Sequence, residues 1–93
     1  MKQYFIASLC MGGILGGGII ADDEGLTYKT GKVTVSPKYR NLEMKYRDIR
    51  SFSEKRVFYF PVFSINMDDE ETYKFIIFSP KRFLTLLNEK VHH

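Results

Sequence analysis

The sequence predicts a single, mainly β domain: an antiparallel barrel of about seven strands capped by one C-terminal α-helix. Three observations carry this. Short apolar or alternating runs recur along the chain, punctuated by glycine, proline and acidic clusters. Aromatic residues make up 15% of the chain, as eight Phe and six Tyr with no Trp, and such side chains suit a pleated, half-buried surface. Helical spacing of apolar residues is confined to the stretch after Ser79. At 93 residues, with 44% hydrophobic and 27% charged composition, the chain has enough apolar material for one core, so residues 1–93 form one domain.

Residues 4 to 21 carry no charge, with Lys2 before them and Asp22-Asp23-Glu24 after. An export signal, a membrane helix or a pair of strands could fill such a stretch. Five glycines between Gly12 and Gly18 would each weaken a helix by about 1 kcal/mol relative to Ala, and bulky Ile19 stands where cleavage after Ala21 would prefer a small residue. Strands at about Gln3 to Met11 and Leu15 to Ala21 are therefore expected. Gly12-Gly13 forms the turn, and Gly16 to Gly18 permit a bulge or a close backbone approach. If residues 1–21 are instead a signal, the protein is exported or membrane-anchored. The single cysteine, Cys10, reads as a small buried hydrophobe and cannot make an internal disulfide, which makes the cytoplasm the expected location, with association at a membrane surface as the alternative.

Asp22 to Gly25 is a turn cluster in which Gly25 suits a left-handed position, followed by a short strand Leu26 to Lys29. Lys32-Val33-Thr34-Val35 reads as the next strand, with Val33 and Val35 inward, ended by Ser36-Pro37. From Asn41 to Arg47, Leu42, Met44 and Tyr46 alternate with Glu43, Lys45 and Arg47, giving one dry face and one wet face. A strand at about Ile49 to Lys55 precedes the run Val57-Phe58-Tyr59-Phe60, which Pro61 interrupts. Val62 to Met67 and Thr72 to Phe78 are expected to pair as an antiparallel hairpin through Asp68-Asp69-Glu70-Glu71, with Tyr73, Phe75 and Ile77 on one face. Ser79-Pro80 offers a hydroxyl N-cap followed by proline at the first helical position. The helix runs to about Lys90, with Phe83, Leu84, Leu87 and Val91 on its apolar face and Leu86 at the margin.

This order of strands and one terminal helix resembles the pleckstrin-homology-like superfold, in particular the bacterial PH and GRAM-like domains. The residues that carry the resemblance are Gly25-Leu26-Thr27-Tyr28 leading to Lys32-Val33-Thr34-Val35, Met44-Lys45-Tyr46-Arg47-Asp48-Ile49, Tyr73-Lys74-Phe75 and Lys81-Arg82-Phe83-Leu84. The resemblance implies a barrel whose helix plugs one open end, and a module that binds phosphoinositides, peptides or other domains. Lipid-binding members place Lys and Arg around the first hairpin loop, where this chain has Met11-Gly12-Gly13-Ile14. A stereospecific head-group site is therefore not expected.

Charge is unevenly spread, although the whole chain is only +3. Residues 29 to 56 hold nine Lys and Arg against Glu43, Asp48 and Glu54, which makes Lys29, Lys32, Lys45 and Arg47 the candidate contacts for an anionic surface. His92 and His93 are adjacent at the end of the chain, and no other His or Cys stands at metal-ligand spacing. The acidic turn lacks the interspersed glycine of a calcium loop, no serine occupies a nucleophile elbow, and the glycine cluster is not followed by the Lys and Ser/Thr of a phosphate loop. A non-enzymatic binding module is expected, with no cofactor and no metal, and with a protein or peptide partner favoured. The alternative is weak electrostatic binding of an anionic membrane or nucleic acid through residues 29–56, the latter using Tyr28, Tyr39 and Tyr46 for stacking.

Overall fold

The computed structural model describes residues 2–10, 14–31 and 40–91. Seven strands are found among them: β1 (Gln3–Cys10), β2 (Ile14–Ala21), β3 (Gly25–Lys29), β4 (Asn41–Lys45), β5 (Ile49–Val57), β6 (Phe60–Met67) and β7 (Thr72–Ile77). A 3-10 turn, Tyr46–Asp48, joins β4 to β5, and α1 (Pro80–Lys90) follows β7. All seven strands form one antiparallel sheet in the order β4-β3-β2-β1-β7-β6-β5, curled into a half-barrel. The expected strand at Lys32 to Val35 and the Gly12-Gly13 turn lie outside the described residues.

The uncharged N-terminal stretch supplies two inner strands of the sheet, with Phe5, Ala7, Leu9, Ile19 and Ala21 in the core. Among the described residues no helix is long and apolar enough to cross a membrane. The β1–β2 register runs unbroken from Gln3↔Ala21 to Cys10↔Ile14, so Gly16 to Gly18 make no bulge. Gly17 instead answers a close approach, because a Cβ there would overlap the Lys29 carbonyl oxygen and meet the Tyr28 hydroxyl at 3.0 Å. Gly25 is likewise not the left-handed residue expected. It opens β3 opposite Lys45, and a side chain would collide with the Met44 carbonyl. Cys10 is half-buried rather than enclosed.

The alternation from Asn41 to Arg47 holds in burial, with Leu42, Met44 and Tyr46 inside, but the strand ends at Lys45. There the 3-10 turn carries the chain from one sheet edge to the other. The corner is fixed by hydrogen bonds from the Tyr46 amide to the Glu24 carbonyl (3.0 Å) and from the Asp68 amide to the Asp48 carbonyl (2.8 Å). Pro61 does not interrupt β6. It lies beyond Val62↔Ile76, the last β6–β7 pair, where β6 borders β5 alone and a missing N–H leaves no β7 bond unmade.

α1 buries Phe83, Leu86 and Leu87, with Val91 just after it, whereas Leu84 is only half-buried. The apolar face is thus rotated toward Leu86 relative to the expected stripe. Ser79 precedes the helix in the left-handed region (φ 67°, ψ 55°) and its hydroxyl makes no cap, so the expected N-cap bond is not made; its carbonyl accepts the first helical bond, from the Phe83 amide (3.2 Å). The Phe83 ring stands edge-on to Phe5 and to Phe63, each at 4.9 Å between centroids. One helical side chain thereby joins β1 and β6 across the concave side of the sheet.

Candidate functional site

The sequence-predicted cations do not form one cluster. Lys29 ends β3 opposite Asn41, while Lys45 ends β4 opposite Gly25, a separation of roughly 13 Å along the strands at about 3.3 Å per residue. Lys32 lies outside the described residues. Lys45 and Arg47 do come together, in a cleft of about 590 Å³ where the Asp23-Glu24 turn, Tyr46 and the end of α1 meet. The cleft also holds Lys90, but Asp23, Glu24 and Glu89 face the same space. Three cations against three carboxylates leave no net field to gather an anion.

At the mouth of this cleft, hydrogen bonding is spent on holding the corner. The Tyr46 hydroxyl donates to the Asp22 carbonyl at 2.9 Å, and burial, with the Asp22 and Asp23 charges adding, pushes its pKa up to about 12. Asp22 accepts the Glu24 and Gly25 amides at 2.9 Å each, and those bonds to the charged form hold its carboxyl below the usual carboxylate range. Tyr28, buried, donates its hydroxyl to the Leu15 carbonyl, and desolvation raises its pKa. With both Tyr28 and Tyr46 in the core, neither ring is free to stack on a base, and Tyr39 lies outside the described residues. Among the described residues no group of three or more His, Cys, Asp and Glu could hold a metal ion.

The convex side of the sheet is different. Tyr4 and Ile6 are each 65% exposed and Phe78 51%, and the Phe78 amide donates to the Ile6 carbonyl at 2.9 Å, so these side chains neighbour one another on adjoining strands. Ile20 faces Tyr4 from β2. Buried Ile76 and half-buried Val62 lie on the same side across β7 and β6, two residues from Phe78 and Phe60. Arg82 stays on the helix side of β1: its guanidinium lies 4.4 Å from the centroid of the buried Phe5 ring and donates to the Tyr4 carbonyl. Glu54 is the single carboxylate in β1, β2, β5, β6 and β7, and it pairs with buried Phe63, placing it on the concave side. Lys55 and Lys74, paired with Val62 and Ser64, flank the apolar band.

No signal in the sequence marked this face as a site. Tyr4 and Ile6 sit inside an uncharged run in which Gln3 and Ser8 are the only polar residues, too few to mark the outward positions, and their exposure follows from the register that sends Phe5, Ala7 and Leu9 inward.

No protein-family model matches the chain, and no curated protein matches it. A solved structure does share its architecture: the crystal structure of the C-terminal domain of an unknown protein from Leishmania infantum, with a TM-score of 0.78 at 10% sequence identity, over 95% of this chain and 80% of that one. At that identity the likeness is one of fold alone.

Proposed function

We propose that this chain is a non-enzymatic, pleckstrin-homology-like interaction module that docks a partner polypeptide on the convex face of its sheet. The observation that carries this reading is the side-by-side placement of exposed Tyr4, Ile6 and Phe78 on β1 and the end of β7, an apolar band that the chain's own helix, packed on the other side, does not cover. The cationic flank of Lys55 and Lys74, with no carboxylate on the convex side of these strands, suits a partner whose apolar residues are bordered by Asp or Glu. The neutral charge balance around Lys45 and Arg47 gives less support to docking driven by the basic middle third.

The test compares capture of proteins from a native lysate by the wild-type chain and by the Ile6→Asp/Phe78→Asp double variant, at low and physiological salt. Asp in a strand costs on the order of 1 kcal/mol, within the margin of a domain stable by about 5–15 kcal/mol, so circular dichroism should still show the folded sheet while the captured species is lost. Capture that survives the double variant and disappears with salt alone would move the site to the basic residues.

A further inference from the structure

Val57 to Phe60 form the tip of the β5–β6 hairpin, with Val57 paired to Phe60 across a two-residue turn. That turn places both central residues at positive φ, Phe58 at 50° and Tyr59 at 72°. Such a turn ordinarily selects Asn and Gly, and the left-handed conformation costs a residue with a Cβ about 1–2 kcal/mol. Neither ring packs inside the fold to compensate, since Phe58 is 87% exposed and Tyr59 93%. The tip therefore carries two aromatic rings in the conformation least suited to them and buries neither.

Its charge is positive at the tip, with Glu54 the nearest carboxylate along β5, two residues from Arg56. Lys55 and Arg56 form the shoulders, and Arg56 Nη1 reaches the Tyr59 carbonyl at 3.4 Å, which brings the guanidinium up to the turn. No Asp or Glu occurs from residue 55 to residue 67. The hairpin also stands clear of its neighbour, since pairing with β7 ends at Val62.

We infer that this tip is a membrane anchor: Phe58, Tyr59 and Phe60 enter the interfacial layer of an anionic bilayer, while Lys55 and Arg56 remain among the phosphates. The Tyr59 ring, with its one polar edge, settles at that depth. The wholly apolar Phe58 and Phe60 rings add buried area beside it, and basic side chains next to them gain from the negative surface potential. A narrow finger meets no shape requirement in a bilayer. The tip by itself, three rings of about 150–250 Å² each, is smaller than the roughly 800 Å² per side of a protein interface, and its Phe58 and Tyr59 project beyond the β6–β7 pairing that carries the convex band. Pairing with a second copy through this tip would bring Lys55 and Arg56 against their own counterparts.

The chain contains no Trp, so Tyr59→Trp creates a single fluorescent reporter at the site. Its emission should shift to the blue and be quenched by brominated lipid on vesicles of phosphatidylcholine mixed with phosphatidylglycerol, with a much smaller response on phosphatidylcholine alone. Sedimentation of the otherwise unmodified chain with the same vesicles should fall about tenfold or more in Phe58→Asn/Tyr59→Gly, whose turn suits the backbone better. Lys55→Glu/Arg56→Glu should remove the part that depends on salt. The inference is overturned by an unshifted emission on anionic vesicles, by sedimentation that Phe58→Asn/Tyr59→Gly leaves intact, or by a shift that arises only when a purified partner protein is added.

Discussion

Phe60 and Phe63 stand three residues apart on β6, yet Phe63 is sealed against Phe83 while Phe60 is half open beside the hairpin turn. Phe63 points to the concave side and lies opposite Phe75 of β7, inside the stretch that β7 pairs and α1 covers. Phe60 points the other way and lies beyond the last β7 pair. Residue type is shared and the neighbours differ. In this fold, burial of an aromatic ring is decided by strand parity and by how far the adjacent strand extends.

Core and tip should accordingly respond in opposite ways to losing a ring. The largest effect is expected for Phe83→Ala, which leaves a cavity between Phe5 and Phe63 and should cost about 3–5 kcal/mol in urea denaturation. A loss below about 1 kcal/mol would mean that α1 is not the plug on which the concave side depends.

The next effect is a pH dependence. A tyrosine whose folded pKa is raised from about 10 to about 12 stabilises the fold fully below pH 10 and loses that contribution as the pH climbs toward 12. At about 1.4 kcal/mol per pH unit the loss over these two units is at most about 3 kcal/mol, less whatever solvent reaching the ring beside the open cleft screens. Tyr46→Phe should flatten this alkaline decline, leaving the smaller part due to Tyr28. At neutral pH the same variant should cost only about 1 kcal/mol, for the hydrogen bond to the Asp22 carbonyl that it removes. Equal alkaline declines in wild type and variant would remove Tyr46 from the corner's stability.

Where apolar and polar residues alternate, the sequence was legible. Leu42, Met44 and Tyr46, and Tyr73, Phe75 and Ile77, face inward as their spacing indicates, and the acidic turn joins β6 to β7 as an antiparallel pair. Legibility failed where alternation had too little that was polar to alternate with. The β1 and β2 runs concealed which face is wet, and the all-apolar Val57 to Phe60 stretch concealed a hairpin because its turn uses aromatic residues in place of Asn-Gly. The helix stripe was misplaced toward Leu84, since Leu84 and Leu86 have the same side chain and only packing on the sheet separates them. Cations close in sequence proved a weak guide to a site, because β3 and β4 hold Lys29 and Lys45 at opposite ends of their pairing.

The claim that the tip rings serve a ligand rather than the fold is tested most directly by the urea midpoint of Phe58→Asn/Tyr59→Gly beside that of the wild-type chain. Both rings lie outside the core, so relief of the left-handed strain predicts a midpoint equal to wild type or higher, a gain of up to about 1 kcal/mol. A fall of more than about 1 kcal/mol, of the kind that follows disruption of core packing, would contradict it and place these rings among the side chains that hold the domain together.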